Sequence, residues 1–307
     1  MLSTKDIYVK ICNTNKIGHQ LTDDELKILQ SHLMKMYRDL EDVCKRHNLN
    51  ITLAYGNVLG ALRHKGWIPW DDDLDVHMPR KDYDLLLSKY AQELPPQYVV
   101  YAPHTPQGPI YRFAKIIDTT TTFVQLGEEN KPYHQGVFID IFPIENISTN
   151  RVMNMLRKLW SYFLMYTATS VDLSNHTSKI YKQIMYASLS GKLNFYVRKI
   201  WGTIFSFASA KKWYCWIDNF HRYSKETGYV HIPTSLESRP WHPIKKSMFF
   251  PGREVPFGHA ESVLVPGITN KDTEDYLVMR YGEWRVIPSP DKIWHHYVND
   301  IDIPSES

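Results

Sequence analysis

Tyr55-Gly56-Asn57-Val58-Leu59-Gly60-Ala61-Leu62-Arg63-His64-Lys65-Gly66-Trp67-Ile68-Pro69-Trp70-Asp71-Asp72-Asp73-Leu74-Asp75 ends in four carboxylates within five positions. In an extended Asp73-Leu74-Asp75 both Asp side chains leave the same face of a strand, because side-chain direction repeats every second residue. Like charges held that close resist ionisation unless a cation sits between them. Paired hard oxygen ligands suit Mg²⁺, or Mn²⁺, and in enzymes such ions also hold substrate phosphates. The stretch reads as part of a phosphate-handling enzyme.

Its surroundings set the fold class. Upstream, Ile51 to Tyr55 reads as a short strand feeding a turn at Gly56, and Val58 to His64 as a short helix that Gly66 and Pro69 break. Further upstream a helix is expected from Asp23 to His47. Thr22 and Glu25 make a capping box, and Leu26, Leu29, Leu33, Met36, Leu40 and Val43 form one apolar stripe. Arg80 to Glu93 is helical by the same spacing and is stopped by Pro95-Pro96. Tyr98 to Tyr101, Tyr111 to Asp118 and Gly136 to Phe142 read as strands.

The pattern is α/β: a mixed sheet backed by helices, followed by a largely helical insertion or second lobe. Residues 1–150 are expected to hold the N-terminal helix and catalytic core. Residues 151–228 would be the helical basic and aromatic region, and 229–307 a segment completing the catalytic domain. In that last segment Ser247 to Phe250 and Ser262 to Val265 read as strands. Asn270 is the expected cap of a final helix ending at Gly282.

Composition narrows the class. With 307 residues, 43% hydrophobic and 22% charged, the chain is long enough to bury a sizeable core. Its 3 Cys lack the close pairing of a zinc site or a disulfide framework. The first residues lack a signal-peptide pattern and no apolar run reaches spanning length, so the expected location is the cytosol. Between Arg151 and Lys212 there are ten Lys or Arg residues and one acid, Asp172, interleaved with Trp160, Phe163, Trp201 and Phe205. That bias favours an anionic partner: by charge alone nucleic acid, lipid headgroups and phosphorylated glycans all qualify. The aromatic interleaving adds peripheral contact at the inner face of a membrane as an expectation. Nucleic acid is not expected, since no reading helix or zinc pattern accompanies the charge.

A complete metal site needs a third acid. Asp140, in Gly-Val-Phe-Ile-Asp-Ile-Phe, shares a strand face with Phe138 and Phe142, where a lone carboxylate must meet water, donors or a cation. Were its strand to lie beside that of Asp73 and Asp75, the three would converge on divalent metal. Gly56 and Asn57 at a helix start would offer backbone N–H groups to phosphate, with Arg63, His64 and Lys65 as further donors. Arg112, Lys115 and His295 are additional phosphate-binding candidates. Asp71 and Asp72 are expected to cap, to orient neighbours or to face solvent.

The run from Gly56 to Val76 resembles the LicD family, which includes the fukutin-related proteins. So do Arg80-Lys81-Asp82-Tyr83, Gly136 to Pro143, Tyr281-Gly282-Glu283-Trp284, Ile287-Pro288 and the histidines at 295 and 296. The resemblance implies a nucleotidyltransferase-type core. It implies transfer of a phosphate-linked group, such as phosphocholine or a polyol or sugar phosphate, from a nucleotide-activated donor to a cell-surface glycan. CDP-linked donors and glycan or lipid-linked glycan acceptors are the implied partners. Asp73 and Asp75 match the family's metal pair, Asp140 its third acid and Gly56 its phosphate-facing turn. Asn57 departs from it, standing where Thr or Ser is common. Two rival readings stay open: nucleotidylyl transfer with pyrophosphate release, and a non-enzymatic glycan-binding or scaffold protein.

Overall fold

In the computed structural model, residues 12, 18–223, 225–234, 243–258, 261–289 and 297–304 are described. A two-residue strand, β1 (His19–Gln20), precedes helix α1 (Asp23–Arg46). The Thr22 hydroxyl accepts from the Glu25 N–H while the Glu25 carboxylate accepts from the Thr22 N–H, so the expected capping box forms. The apolar stripe of α1 enters the main core, where Leu29, Leu33, Met36 and Leu40 are all buried.

Beyond α1, β2 (Thr52–Leu53) runs into α2 (Tyr55–Leu59), which continues as a π-helical turn over Gly60–His64. Then come β3 (Leu74–Pro79) and α3 (Arg80–Leu85), the latter extended by π and 3₁₀ turns to Glu93. Strands β4 (Tyr98–Tyr101), β5 (Ala114–Asp118), β6 (Thr122–Gln125) and β7 (Phe138–Asn146) follow. The central sheet has the order β2-β3-β7-β5-β4. Its β3·β7 pair is parallel and its other pairs along that path are antiparallel, giving a mixed sheet. Leu74, Val76 and Met78 alternate with Asp75 and His77, so one face of β3 joins the core while the other carries the polar groups.

Four helices occupy the middle of the chain: α4 (Arg151–Asn175), α5 (Lys179–Tyr186), α6 (Leu189–Ile204) and α7 (Ala210–His221). Each starts at a polar cap, Asn150, Ser178, Ser188 and Ser209 in turn, whose side chain accepts first-turn N–H groups. Leu164, Ala168, Val171, Trp213 and Ile217 form a second, smaller core between α4 and α7.

The remaining strands are β8 (Tyr229–His231), β9 (Ile244–Lys245), β10 (Arg253–Phe257), β11 (Glu261–Val265) and β12 (Tyr297–Asp302), with α8 (Asn270–Tyr281) between β11 and β12. β8 extends the sheet from the far end of β7 and pairs with β9. β10 and β11 form a hairpin, and β12 lies between β1 and β6.

Several expectations need correcting. Ser247 to Phe250 is not a strand: a 3₁₀ turn occupies Lys246–Met248, and Phe249 is driven fully into the core. Thr269, not Asn270, caps α8, because its hydroxyl and Asp272 make a reciprocal capping box. The strand expected from Tyr111 begins only at Ala114, and β6 and β10 had no expectation at all.

Candidate active site

Register decides which polar groups meet. The parallel β3·β7 pairing sets Asp75 opposite Asp140, and the antiparallel β5·β7 pairing sets Lys115 on the other side of Asp140. One row across three adjacent strands therefore reads Asp75, Asp140, Lys115. Lys115 Nζ stands 2.9 Å from Asp140 Oδ1 and 3.0 Å from the centre of the Phe138 ring, with its side chain 5% exposed. Lys115 was expected to grip phosphate; here it is buried and committed to Asp140. An aromatic face adds electrostatic attraction to that of the carboxylate.

The acidic segment joins this row from below. Asp73 precedes β3 by one residue, and its charge acts on both Asp75 and Asp71. Burial, then repulsion from Asp73, Asp140 and Asp71, raises the Asp75 pKa well above the carboxylate range, with Lys115 opposing. Asp71 is raised by burial and by Asp73 and Asp72. Asp140 is raised by burial, against which Lys115 and Arg112 pull down and Glu128 pushes up. Glu128 itself accepts from the Tyr111 hydroxyl at 2.5 Å and the Tyr133 hydroxyl at 2.7 Å.

Asn57 holds the acidic segment in place. Its amide nitrogen donates to the Asp73 carbonyl at 3.0 Å and to Asp71 Oδ2 at 3.4 Å, while its Oδ1 accepts from the Asp75 N–H at 2.7 Å. Its side chain is thus occupied by protein, and its backbone N–H, expected to face phosphate, donates to the Ala54 carbonyl at 3.1 Å. Gly56 makes room: a Cβ there would stand 3.1 Å from Asp71 Oδ2. Asp71 was expected outside the site, and the clue was the missing side chain at Gly56, fifteen positions earlier in the chain.

The other candidates disperse. Arg63 donates to the carbonyls of Trp284 at 3.1 Å and Val286 at 3.2 Å, and its Nε to His64 Nε2 at 2.9 Å. Burial and Arg63 lower the His64 pKa. Lys65 is exposed, and its carbonyl accepts from the Gly258 N–H at 2.6 Å. Arg63 and Lys65 therefore tie the π-helical turn to later parts of the chain. Arg112 donates to the Thr234 carbonyl at 2.7 Å and still acts electrostatically on Asp140. His295 and His296 lie outside the described residues.

One group had no expectation. From α8, the Arg280 guanidinium lies 4.0 Å from the Tyr55 ring centre, and the Tyr276 hydroxyl accepts from the Tyr55 N–H at 3.0 Å. Tyr55 has φ 46°, a left-handed backbone rare for an aromatic residue, at the residue before Gly56. A positively charged side chain is thereby delivered to the turn from more than two hundred residues away.

Residues 48–169 match the family model described as LicD/FKTN/FKRP, nucleotidyltransferase domain. Over this stretch the chain is similar to a LicD-family nucleotidyltransferase domain. Lipopolysaccharide cholinephosphotransferase LicD of Haemophilus influenzae is 33% identical over 101 residues, 32% of this chain and 37% of that protein. Two uncharacterized proteins, of Rickettsia prowazekii and Rickettsia typhi, are each 32% identical over 66 residues, 22% of this chain and 23% and 20% of theirs. The matched stretch thus spans well under half the length of these relatives. The matched stretch contains Asn57, the four acids Asp71, Asp73, Asp75 and Asp140, and Lys115, whereas Arg280 and Tyr276 reach the site from outside it.

Among the described residues no group of three or more His, Cys, Asp or Glu side chains is gathered closely enough to hold a metal ion as it stands. The donor chemistry nevertheless fits one. Asp140 turns a buried carboxylate toward this row with Lys115 as its ion-pair partner, and Asp75 is held among three other carboxylates. Hard oxygen donors with excess negative charge are what Mg²⁺ selects.

Proposed function

We propose that this chain transfers a phosphate-linked group from a nucleotide-activated donor to a hydroxyl of a cell-surface or lipid-linked glycan. The carrying observation is the placement of Asp75 beside Asp140 on adjacent parallel strands, with Asp71 and Asp73 close enough to raise the Asp75 pKa. The family match over residues 48–169 supports a nucleotidyltransferase-type core. The cholinephosphotransferase name of the Haemophilus relative makes phosphocholine the first group to test, and a CDP-linked donor is the carrier that the LicD resemblance implies.

In this reading the acceptor hydroxyl gives its proton to Asp140 while its oxygen forms a bond to the donor phosphorus that carries the transferred group. The bond from that phosphorus to the bridging oxygen breaks, and the nucleoside monophosphate leaves with the electron pair. Asp73, Asp75 and Asp140 would hold Mg²⁺, or Mn²⁺. Bound there, the ion supplies charge neutralisation at a transferring phosphoryl group. Lys115 pulls the Asp140 pKa down against burial and fixes the carboxylate in the row. Asn57 locks the backbone on which Asp73 and Asp75 stand. Arg280 and Arg112 supply positive charge beside the turn and beside Asp140. The proposal sets the reaction in the cytosol, where a lipid-linked acceptor would be met at the inner membrane face.

The test is incubation with Mg²⁺ and a panel of CDP-choline, CDP-ribitol, CDP-glycerol and nucleotide sugars, with detection of the released nucleotide. Release of CMP that disappears in Asp75→Asn is the expected result. Pyrophosphate release from a nucleoside triphosphate would replace this reading with nucleotidylyl transfer. Absence of any metal-dependent turnover across the panel would leave a binding protein instead.

A further inference from the structure

Helices α4 and α6 carry their apolar residues on the outside. On α4, Val152, Met155, Leu156, Leu159 and Trp160 recur at three- and four-residue steps and are between 51% and 63% exposed. On α6, Leu189, Leu193, Val197, Ile200 and Ile204 do the same, between 47% and 85% exposed, while only Phe195 and Gly202 are buried. An ordinary surface helix turns such a stripe inward.

The two stripes belong to one surface. Where α4 and α6 cross, a Cβ on Gly202 would meet the Ser170 carbonyl oxygen at 2.1 Å, so glycine permits the close approach. Trp201 Nε1 donates to Thr167 Oγ1 at 3.1 Å across the same crossing. Phe163 stacks on Trp160 with ring centres 4.9 Å apart and meets Trp201 at 6.0 Å, which links the α4 stripe to α6 through aromatic rings.

Charge selects the occupant. Between Arg151 and Lys212 ten Lys or Arg residues face one acid, Asp172. That acid is itself paired with Lys131, from outside the segment. Two such faces pressed together would bring like charges into contact, which disfavours a second copy of the chain. An anionic lipid surface satisfies both features, taking apolar side chains into the acyl boundary while Lys and Arg reach the headgroups. Exposed Trp160 and Tyr196 are the side chains enriched at that depth. Among the described residues no helix is long and apolar enough to cross a membrane, so contact through these helices would be in the plane of the surface.

We propose that the outer face of α4 and α6 docks on an anionic lipid bilayer. The test is co-sedimentation of the full chain with vesicles of phosphatidylcholine alone or mixed with phosphatidylglycerol. The protein should pellet with the anionic vesicles, and raised salt should weaken that binding. The double variant Leu159→Glu/Ile200→Glu should bind them about tenfold more weakly or worse, with circular dichroism and melting temperature confirming its fold. A second double variant, Lys158→Gln/Lys192→Gln, keeps the apolar face and should lose selectivity for anionic over neutral vesicles. Equal pelleting of the wild type and the Glu variant would overturn the proposal, as would failure of the wild type to bind anionic vesicles. A dimer in light scattering that the Glu variant dissociates would assign the face to a second copy and overturn it as well. Vesicle binding needs no donor or metal, so its failure would leave the proposed chemistry standing. Asp75→Asn should bind vesicles as the wild type does.

Discussion

Strand β7 carries two buried acids five residues apart, and they are treated differently. Glu145 accepts from Arg80 Nε at 2.6 Å, and Arg80 also lies 2.8 Å from Asp218. Arg222 then joins Asp218 at 2.9 Å to Asp84 at 2.6 Å, so acids and guanidinium groups interleave where α3, β7 and α7 meet. Around Asp140, four carboxylates crowd together with Lys115 as the ion-pair partner across the sheet. Excess charge of one sign costs stability in a buried place, and a fold retains it where a ligand of opposite charge completes it. The interleaved group reads as a fastening, and the crowded one as a site.

The largest effect should fall on the fastening. Arg80→Ala leaves Glu145 and Asp218 short of their guanidinium partner, and a loss of about 3–5 kcal/mol in denaturant unfolding is expected. Turnover per folded molecule should change far less. Next, Asp75→Asn and Asp140→Asn should each lower kcat by about 10²–10³-fold. The fold should persist in Asp75→Asn, which removes one of several repelling carboxylates, whereas Asp140→Asn should also lose stability because it leaves Lys115 buried without its ion-pair partner. If Asp75→Asn unfolded the protein while Arg80→Ala abolished turnover without destabilising it, the division between the two groups would be broken.

Metal addition sharpens the contrast. Mg²⁺ at a hundredfold excess over its dissociation constant should stabilise the wild type by about 2.7 kcal/mol, read as a rise in Tm. Asp75→Asn should show little of that rise, and a variant at Asp84, in the balanced group, should show all of it. Asn57→Ala should cost about 1–3 kcal/mol, because the Asp75 N–H and Asp73 carbonyl lose their buried partner. It should also reduce the Mg²⁺ effect, as the acidic segment loosens.

The smallest effect is one of pH. His221 is buried beside the balanced group, with its Nε2 2.7 Å from Ser161 Oγ, and burial with His231, Arg80 and Arg157 nearby holds its pKa well below the usual range. The unfolded chain therefore binds a proton below about pH 6.5 that the native state refuses. Stability is fully present above that pH and falls as pH drops through it, by about 1.4 kcal/mol per pH unit from this group. Unfolding curves of His221→Gln should be flatter with pH than those of the wild type between pH 7.5 and 5.5. Parallel slopes would show that the native state accepts the proton.

Much of this was legible because it is local. Thr22 and Glu25 are three residues apart, so the cap of α1 could be read directly. Reading failed by one residue at α8, where Asn270 and Thr269 both suit a cap and only the reciprocal bonds with Asp272 choose between them. The strand of Asp140 was legible from its apolar neighbours. Its partnership with Lys115 was not, because a buried lysine and a solvated one have the same sequence signature until register is known.

The acidic stretch, the family it resembles and the alternation that gives Asp75 and Asp140 their faces follow from the order of residues alone, since they depend on spacing of a few positions. Which acids stand together, that Asn57 binds protein, that Lys115 is spent on Asp140 and that Arg280 reaches the turn were decided by strand pairing and by the packing of α8. Those contacts join segments tens to hundreds of residues apart. Chain order does not fix such distances; burial of the shared core does.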